Sequence, residues 1–186
     1  MLNRTFASPQ CFGNFFGCPP IGKAQHDDLA LVFGQLTYHA HGTESIKDAI
    51  RAGIDSIEHS SLIDDEGIKL AKEHGTYLVF DIYNDDYILG MGEKVGMLPE
   101  SIEKEKKIGK LQRENFRKAF QAGAKIAYGT DSGVYPHGDN AKQFAKMVEF
   151  GMKPIDAIQA ATINAADLIG WSDKVGAVEV GHGDVF

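Results

Sequence analysis

The chain has 186 residues, 43% hydrophobic and 24% charged, and its 19 Lys and Arg against 26 Asp and Glu leave a formal charge of −7. That is the composition of an ordinary soluble globular domain, and without a Lys/Arg stripe interleaved with aromatics it argues against nucleic acid as a partner. No apolar window of about 18 residues and no compact apolar leader is present, so no membrane partner is expected and a cytoplasmic location is the reading. One domain with a sizeable core is expected, although a complete eight-stranded α/β barrel typically needs about 250 residues. Cys11 and Cys18 both fall in the first twenty residues and give no disulfide framework.

Residues 1–35 read as an irregular segment, rich in Phe, Gly, Pro and Asn up to Lys23 and broken at Pro19-Pro20. From Leu36 onward short strand patterns alternate with amphipathic helices, the signature of parallel βα units. The first unit is a strand near Leu36–His39 and a helix near Glu44–Ala52, stopped by Gly53. The second is Ser56–His59 with a helix from about Asp64 to Glu73, closed by Gly75. A third strand is expected over Thr76–Tyr83, then a polar loop from Asn84 to Pro99 and a long helix from about Glu100 to Ala122. A fourth strand, Lys125–Tyr128, leads into Gly129-Thr130-Asp131. Helices near Asn140–Phe150 and Pro154–Ile169 follow, and Val175–Gly181 suggests a last short strand. Four parallel strands amount to half a barrel.

Three of these strands end in metal-binding side chains: His39 in Thr37-Tyr38-His39-Ala40-His41-Gly42, His59 in Ser56-Ile57-Glu58-His59-Ser60, and Asp131 in Gly129-Thr130-Asp131-Ser132-Gly133. Imidazole and carboxylate hold zinc and similar divalent ions, and successive parallel strands bring their ends to one rim. A carboxylate at Asp131 is suited to bind the ion and also to take a proton from water activated by it. The bland alternative makes the histidines hydrogen-bonded caps of buried strands and Asp131 an N-cap, but it must explain three coincidences at once. Tyr83 after the third strand can donate to a developing oxyanion, and His137 after the fourth can meet a substrate carboxylate; loop packing explains either as well. His26, His74 and His182 have no motif around them, and Glu58 reads as a strand residue directed away from His59.

At these segments the sequence resembles the amidohydrolase superfamily, in particular the imidazolonepropionase-like branch that includes zinc-dependent Xaa-Pro dipeptidases. The resemblance runs from Leu36 to Phe186 and extends through Asp81-Ile82-Tyr83-Asn84, Gln112–Ala119 and Tyr135–Phe144. It implies a metal-dependent (β/α)8 TIM-barrel hydrolase fold, here a partial barrel of about strands 5 to 8, with residues 36–186 as its C-terminal half. It also implies one or two divalent ions, zinc first, with His39, His59 and Asp131 as ligands and Asp131 as base. Tyr83 would polarise the scissile carbonyl, His137 would hold the substrate's carboxyl end, and His41 would lie beside the ion rather than on it, as a substrate-binding residue. Residues 1–35 supply neither the His-x-His nor the lysine that the family carries on its earlier strands, so the expectation is a chain truncated at both ends or one carrying an unrelated N-terminal segment. The activity implied is hydrolysis of C–N bonds in an Xaa-Pro dipeptide or N-acyl amino acid, with such a small molecule or dipeptide as partner and a homo-oligomer as an open option. The competing expectation is a catalytically inactive half-barrel fragment that binds metal weakly or pairs with a partner chain.

Overall fold

The computed structural model describes residues 29–32 and 35–183. Cys11, Cys18 and His26 lie outside the described residues, as does most of the 1–35 segment. Five strands form one sheet in the order β1-β2-β3-β4-β5: β1 Leu29–Val32, β2 Gln35–Ala40, β3 Ser56–His59, β4 Tyr77–Phe80 and β5 Ile126–Tyr128. β1 pairs antiparallel with β2, whereas β2 through β5 are parallel throughout. The α/β class and the four parallel βα strands follow the sequence expectation, whereas β1 corrects the reading of residues 1–35 as irregular at 29–32.

Parallel neighbours require crossovers, and helices α1 Thr43–Arg51, α2 Asp65–His74 and α4 Pro99–Gln121 occupy the three of them. Asp64 accepts the Gly67 amide proton at 2.7 Å as the N-cap of α2, and Gly75 closes that helix at φ 73°, a left-handed turn suited to glycine. Tyr38, Ala40, Ile57, Leu78, Phe80 and Ile126 project from one sheet face into the main core, where they meet Ile46 and Ile50 of α1, Ile68 of α2 and Phe116 of α4. Phe80 and Phe116 pack edge to face at 5.5 Å, a contact worth about 0.5–1.5 kcal/mol beyond its buried area. The alternate residues Tyr77, Val79 and Ala127 form a smaller cluster on the other face. That face also carries a polar patch, because Thr37 and Ser56 hydroxyls both donate to Glu58 Oε1 at 2.8 Å.

Four further expectations are corrected. The third strand ends at Phe80 rather than Tyr83, and the segment taken as a loop from Asn84 begins with helix α3, Asn84–Met91. The single helix over 154–169 is two, α6 Pro154–Ala161 and α7 Ile163–Leu168, broken at Thr162 with φ −119° and ψ −87°. Helix α5 spans Lys142–Glu149 as expected to within two residues. Residues 175–181 form bends, irregular backbone and a closing turn instead of a strand, and Val178 and Val180 are fully exposed. No helix among the described residues is long and apolar enough to cross a membrane.

Candidate metal centre

Because β2 to β5 run in one direction, their C-terminal ends share one rim of the sheet, and the residues there follow four separate strands. His39 is the penultimate residue of β2 and His59 the last of β3. Their register is fixed by the pairing of Ala40 with His59. His39 Nδ1 and His59 Nε2 face each other at 3.2 Å. Two imidazole nitrogens on one tetrahedral zinc, each about 2.05 Å from it, stand about 3.3 Å apart, so the spacing matches a shared cation.

His59 also belongs to a second grouping. Ligand-capable atoms of His59, Asp81 and Asp131 lie within 4.8 Å of one another. Asp131 follows β5 in a left-handed turn at φ 47°, and His59 itself has φ 68°. Non-glycine residues rarely hold such angles, at a cost of about 1–3 kcal/mol each, and they concentrate where a side chain must be aimed. The approach to Asp131 is close-packed as well: a Cβ at Gly129 would overlap Val79, so only glycine lets this strand end reach the rim. The side chains that converge are therefore one imidazole and two carboxylates, a donor set that fits a divalent cation, and His39 joins them through its contact with His59.

Electrostatics bind the cluster together. Burial works against a charged His59, yet the hydrogen bond and negative charge of Asp81, with Asp131 and Glu58 behind it, raise its proton affinity above the ordinary value. Burial likewise works to raise Asp81, but the His59 N–H and the Gln112 amide hold its carboxyl below the usual range. Asp131 is raised, by burial first and then by the Asp81 charge, with His59 and His39 opposing. A neighbouring carboxylate charge is what a cation at this rim would offset.

The remaining predicted residues take these positions. His41 lies just past β2, stacked on His59 at 4.4 Å, with Nδ1 2.9 Å from Ser61 Oγ. Tyr83 is the N-cap residue of α3; its ring meets Tyr135 edge to face at 4.9 Å and lies beneath the Lys142 ammonium at 5.6 Å. His137 is exposed in the loop after β5, with Nδ1 3.2 Å from the Ser132 hydroxyl. Asp81, Asn84 and Gln112 fall in stretches that carry the family resemblance but receive no role from the sequence, although each touches the cluster. Asp81 follows the buried run Tyr77–Phe80, the same strand-end position as the other candidates; placing the strand end three residues late hid it. Gln112 carried a fainter signal, a polar residue in the buried stripe Ile102, Gly109, Phe116 and Ala119 of α4.

The sequence profile of the amidohydrolase family matches residues 34–182, which include the ends of β2 to β5. The chain belongs to the amidohydrolase family. Ochratoxinase of Aspergillus niger is 37% identical over 137 residues, which is 73% of this chain and 28% of that protein. A Xaa-Pro dipeptidase, solved with methionine in its active site, superposes with a TM-score of 0.72 at 43% identity over 77% of this chain and 36% of its own. A prolidase solved with N-methylphosphonate-L-proline gives 0.71 at 29%, over 77% and 35%. This amidohydrolase chain thus spans about a third of the length of those relatives, and its parallel sheet corresponds to part of their TIM barrel.

Proposed function

We propose that the amidohydrolase unit to which this chain contributes hydrolyses C–N bonds of small N-acyl amino acids, Xaa-Pro dipeptides foremost, with a divalent ion, zinc, held by His39, His59 and Asp131. The observation that carries the reading is the 3.2 Å approach of His39 Nδ1 to His59 Nε2 beside the Asp131 carboxylate. When bound, such an ion supplies a Lewis acid that makes water nucleophilic near neutral pH. The chain's own groups do the rest. Asp131 accepts the proton of the attacking water and passes it to the leaving nitrogen. Tyr83, on the rim at the start of α3, donates its hydroxyl proton to the oxygen that gains charge as the carbonyl becomes tetrahedral. His137, on the exposed loop after β5, meets the carboxylate of the C-terminal residue, and His41 packs the His59 ring in place. The substrate class is supported by the relatives solved as Xaa-Pro dipeptidase and prolidase.

Elemental analysis of the purified chain, together with an assay on Xaa-Pro dipeptides and N-acyl amino acids, tests the reading. It predicts stoichiometric zinc and turnover that Asp131→Asn abolishes. Metal-free, inert protein under zinc saturation refutes it for this chain and supports a catalytically inactive half-barrel instead.

A further inference from the structure

Asp81 has the chemistry of a ligand and lies within a cluster of ligand-capable groups, with His59 and Asp131, yet its lone pairs are already engaged. Its Oδ1 accepts the Gln112 side-chain amide at 2.6 Å, and its Oδ2 accepts the Asn84 amide at 2.6 Å and faces His59 Nδ1 at 3.1 Å. Those three contacts use most of what a carboxylate offers, and the side chain is buried. Gln112 spends its second amide hydrogen on the backbone oxygen of His59 at 3.0 Å. One glutamine on α4 therefore grips His59 twice: directly at its backbone, where φ is 68°, and through Asp81 at its ring. Asn84 extends the clamp, its amide also reaching Asp131 Oδ2 at 3.3 Å.

An acidic acceptor at Nδ1 decides which ring nitrogen carries the proton. A carboxylate cannot donate, so His59 must present Nδ1–H to it, which leaves Nε2 with a bare lone pair aimed toward His39. From this geometry we infer that Asp81, clamped by Gln112 and Asn84, is a positioning residue that fixes His59 as its Nδ1–H tautomer and so turns Nε2 toward the cation. This rests on the reading of His59 as a ligand, but its first consequence belongs to the metal-free chain. There the order is His39 Nδ1–H to His59 Nε2, then His59 Nδ1–H to Asp81, a chain of two hydrogen bonds running one way. Cation uptake requires His39 to move its proton to Nε2 while His59 keeps its own on Nδ1.

Long-range 1H–15N correlation spectra of the full 186-residue chain, recorded at alkaline pH where the rings are neutral, read each tautomer. The expected result without metal is His59 protonated on Nδ1, and with zinc an unchanged His59 beside His39 protonated on Nε2. Asp81→Leu, which keeps the branched outline and removes the acceptor, should abolish the Nδ1–H preference and weaken zinc binding by about 10–100-fold in competition with a chelating dye. Gln112→Met should weaken it in the same direction and less. An Nε2–H tautomer in the wild-type chain overturns the inference whatever the variants do, as does an Asp81→Leu chain that retains Nδ1–H and zinc affinity within about twofold. Failure of the wild-type chain to bind zinc strikes the ligand reading and leaves the tautomer result to decide the role of Asp81.

Discussion

Gln143 is a buried side chain that ties the main chain on either side of the rim near Tyr83, and replacing it by methionine isolates what its amide does. The side chain is 1% exposed and makes two hydrogen bonds to main chain from another unit: Nε2 donates to the Phe80 oxygen at 2.5 Å, and Oε1 accepts the Tyr83 amide at 2.8 Å. Methionine preserves length and approximate volume, so no large cavity opens, but both backbone groups lose their partner, the Phe80 oxygen at a buried position and the Tyr83 amide at a part-buried one. Each orphaned group costs about 1–3 kcal/mol, giving about 2–6 kcal/mol for the pair. For a chain of this size each kcal/mol lowers the melting temperature by about 2–4 °C, so a fall of roughly 5–20 °C is expected by circular dichroism. The exposed Gln121→Met serves as control and should move stability by less than about 0.5 kcal/mol. A Gln143→Met chain that melts within about 2 °C of wild type would refute the claim that these two bonds hold β4 and α3 in register.

Gly109→Ala reverses the usual ranking in a helix interior, where alanine gains up to about 1 kcal/mol. Here the new Cβ would overlap the buried Asp85 carboxyl, an overpacking cost of about 1–3 kcal/mol, so urea titration should show a net loss that changes to a gain in an Asp85→Ala background. Asp85 itself carries a pH signature. Burial first, then Glu105, pushes its carboxyl up to about 9 against the pull of Arg113, whose Nε lies 2.7 Å away. The native chain thus holds a proton that the unfolded chain releases near its ordinary value, so this contribution to stability is full below about pH 4 and fades as pH rises through about 9. Asp85→Asn should flatten the decline in melting temperature over that window, and parallel profiles for the two proteins would contradict the assignment.

The strand ends were legible because their physics is local: His39, His59 and Asp131 each close a short β pattern bounded by polar or glycine residues. Asp81 was not, since Tyr77 to Tyr83 is apolar except at Asp81, and a buried parallel strand gives no alternation to mark where pairing stops. Asn84-Asp85-Asp86 reads as loop until tertiary contacts are known; Asn84 and Asp85 are buried because Asp81, Asp131 and Arg113 receive them. The opposite error occurred at 175–181, where Val178 and Val180 alternate like a strand but lie fully exposed. β-propensity expresses packing on neighbours more than backbone preference. The break at Thr162 carries neither Pro nor Gly; its hydroxyl donates to the Ile158 oxygen at 2.8 Å, a competition for helical carbonyls that sequence leaves silent.

The central claim is that His39, His59 and Asp131 close on one cation, and zinc X-ray absorption on the chain loaded with one equivalent addresses it directly. The account predicts a four-coordinate shell with two imidazole nitrogens at about 2.0–2.1 Å and oxygen at about 2.0–2.2 Å, losing one nitrogen in His39→Ala and again in His59→Ala. Zinc that is removed by desalting, or a spectrum unchanged by both substitutions, would contradict it.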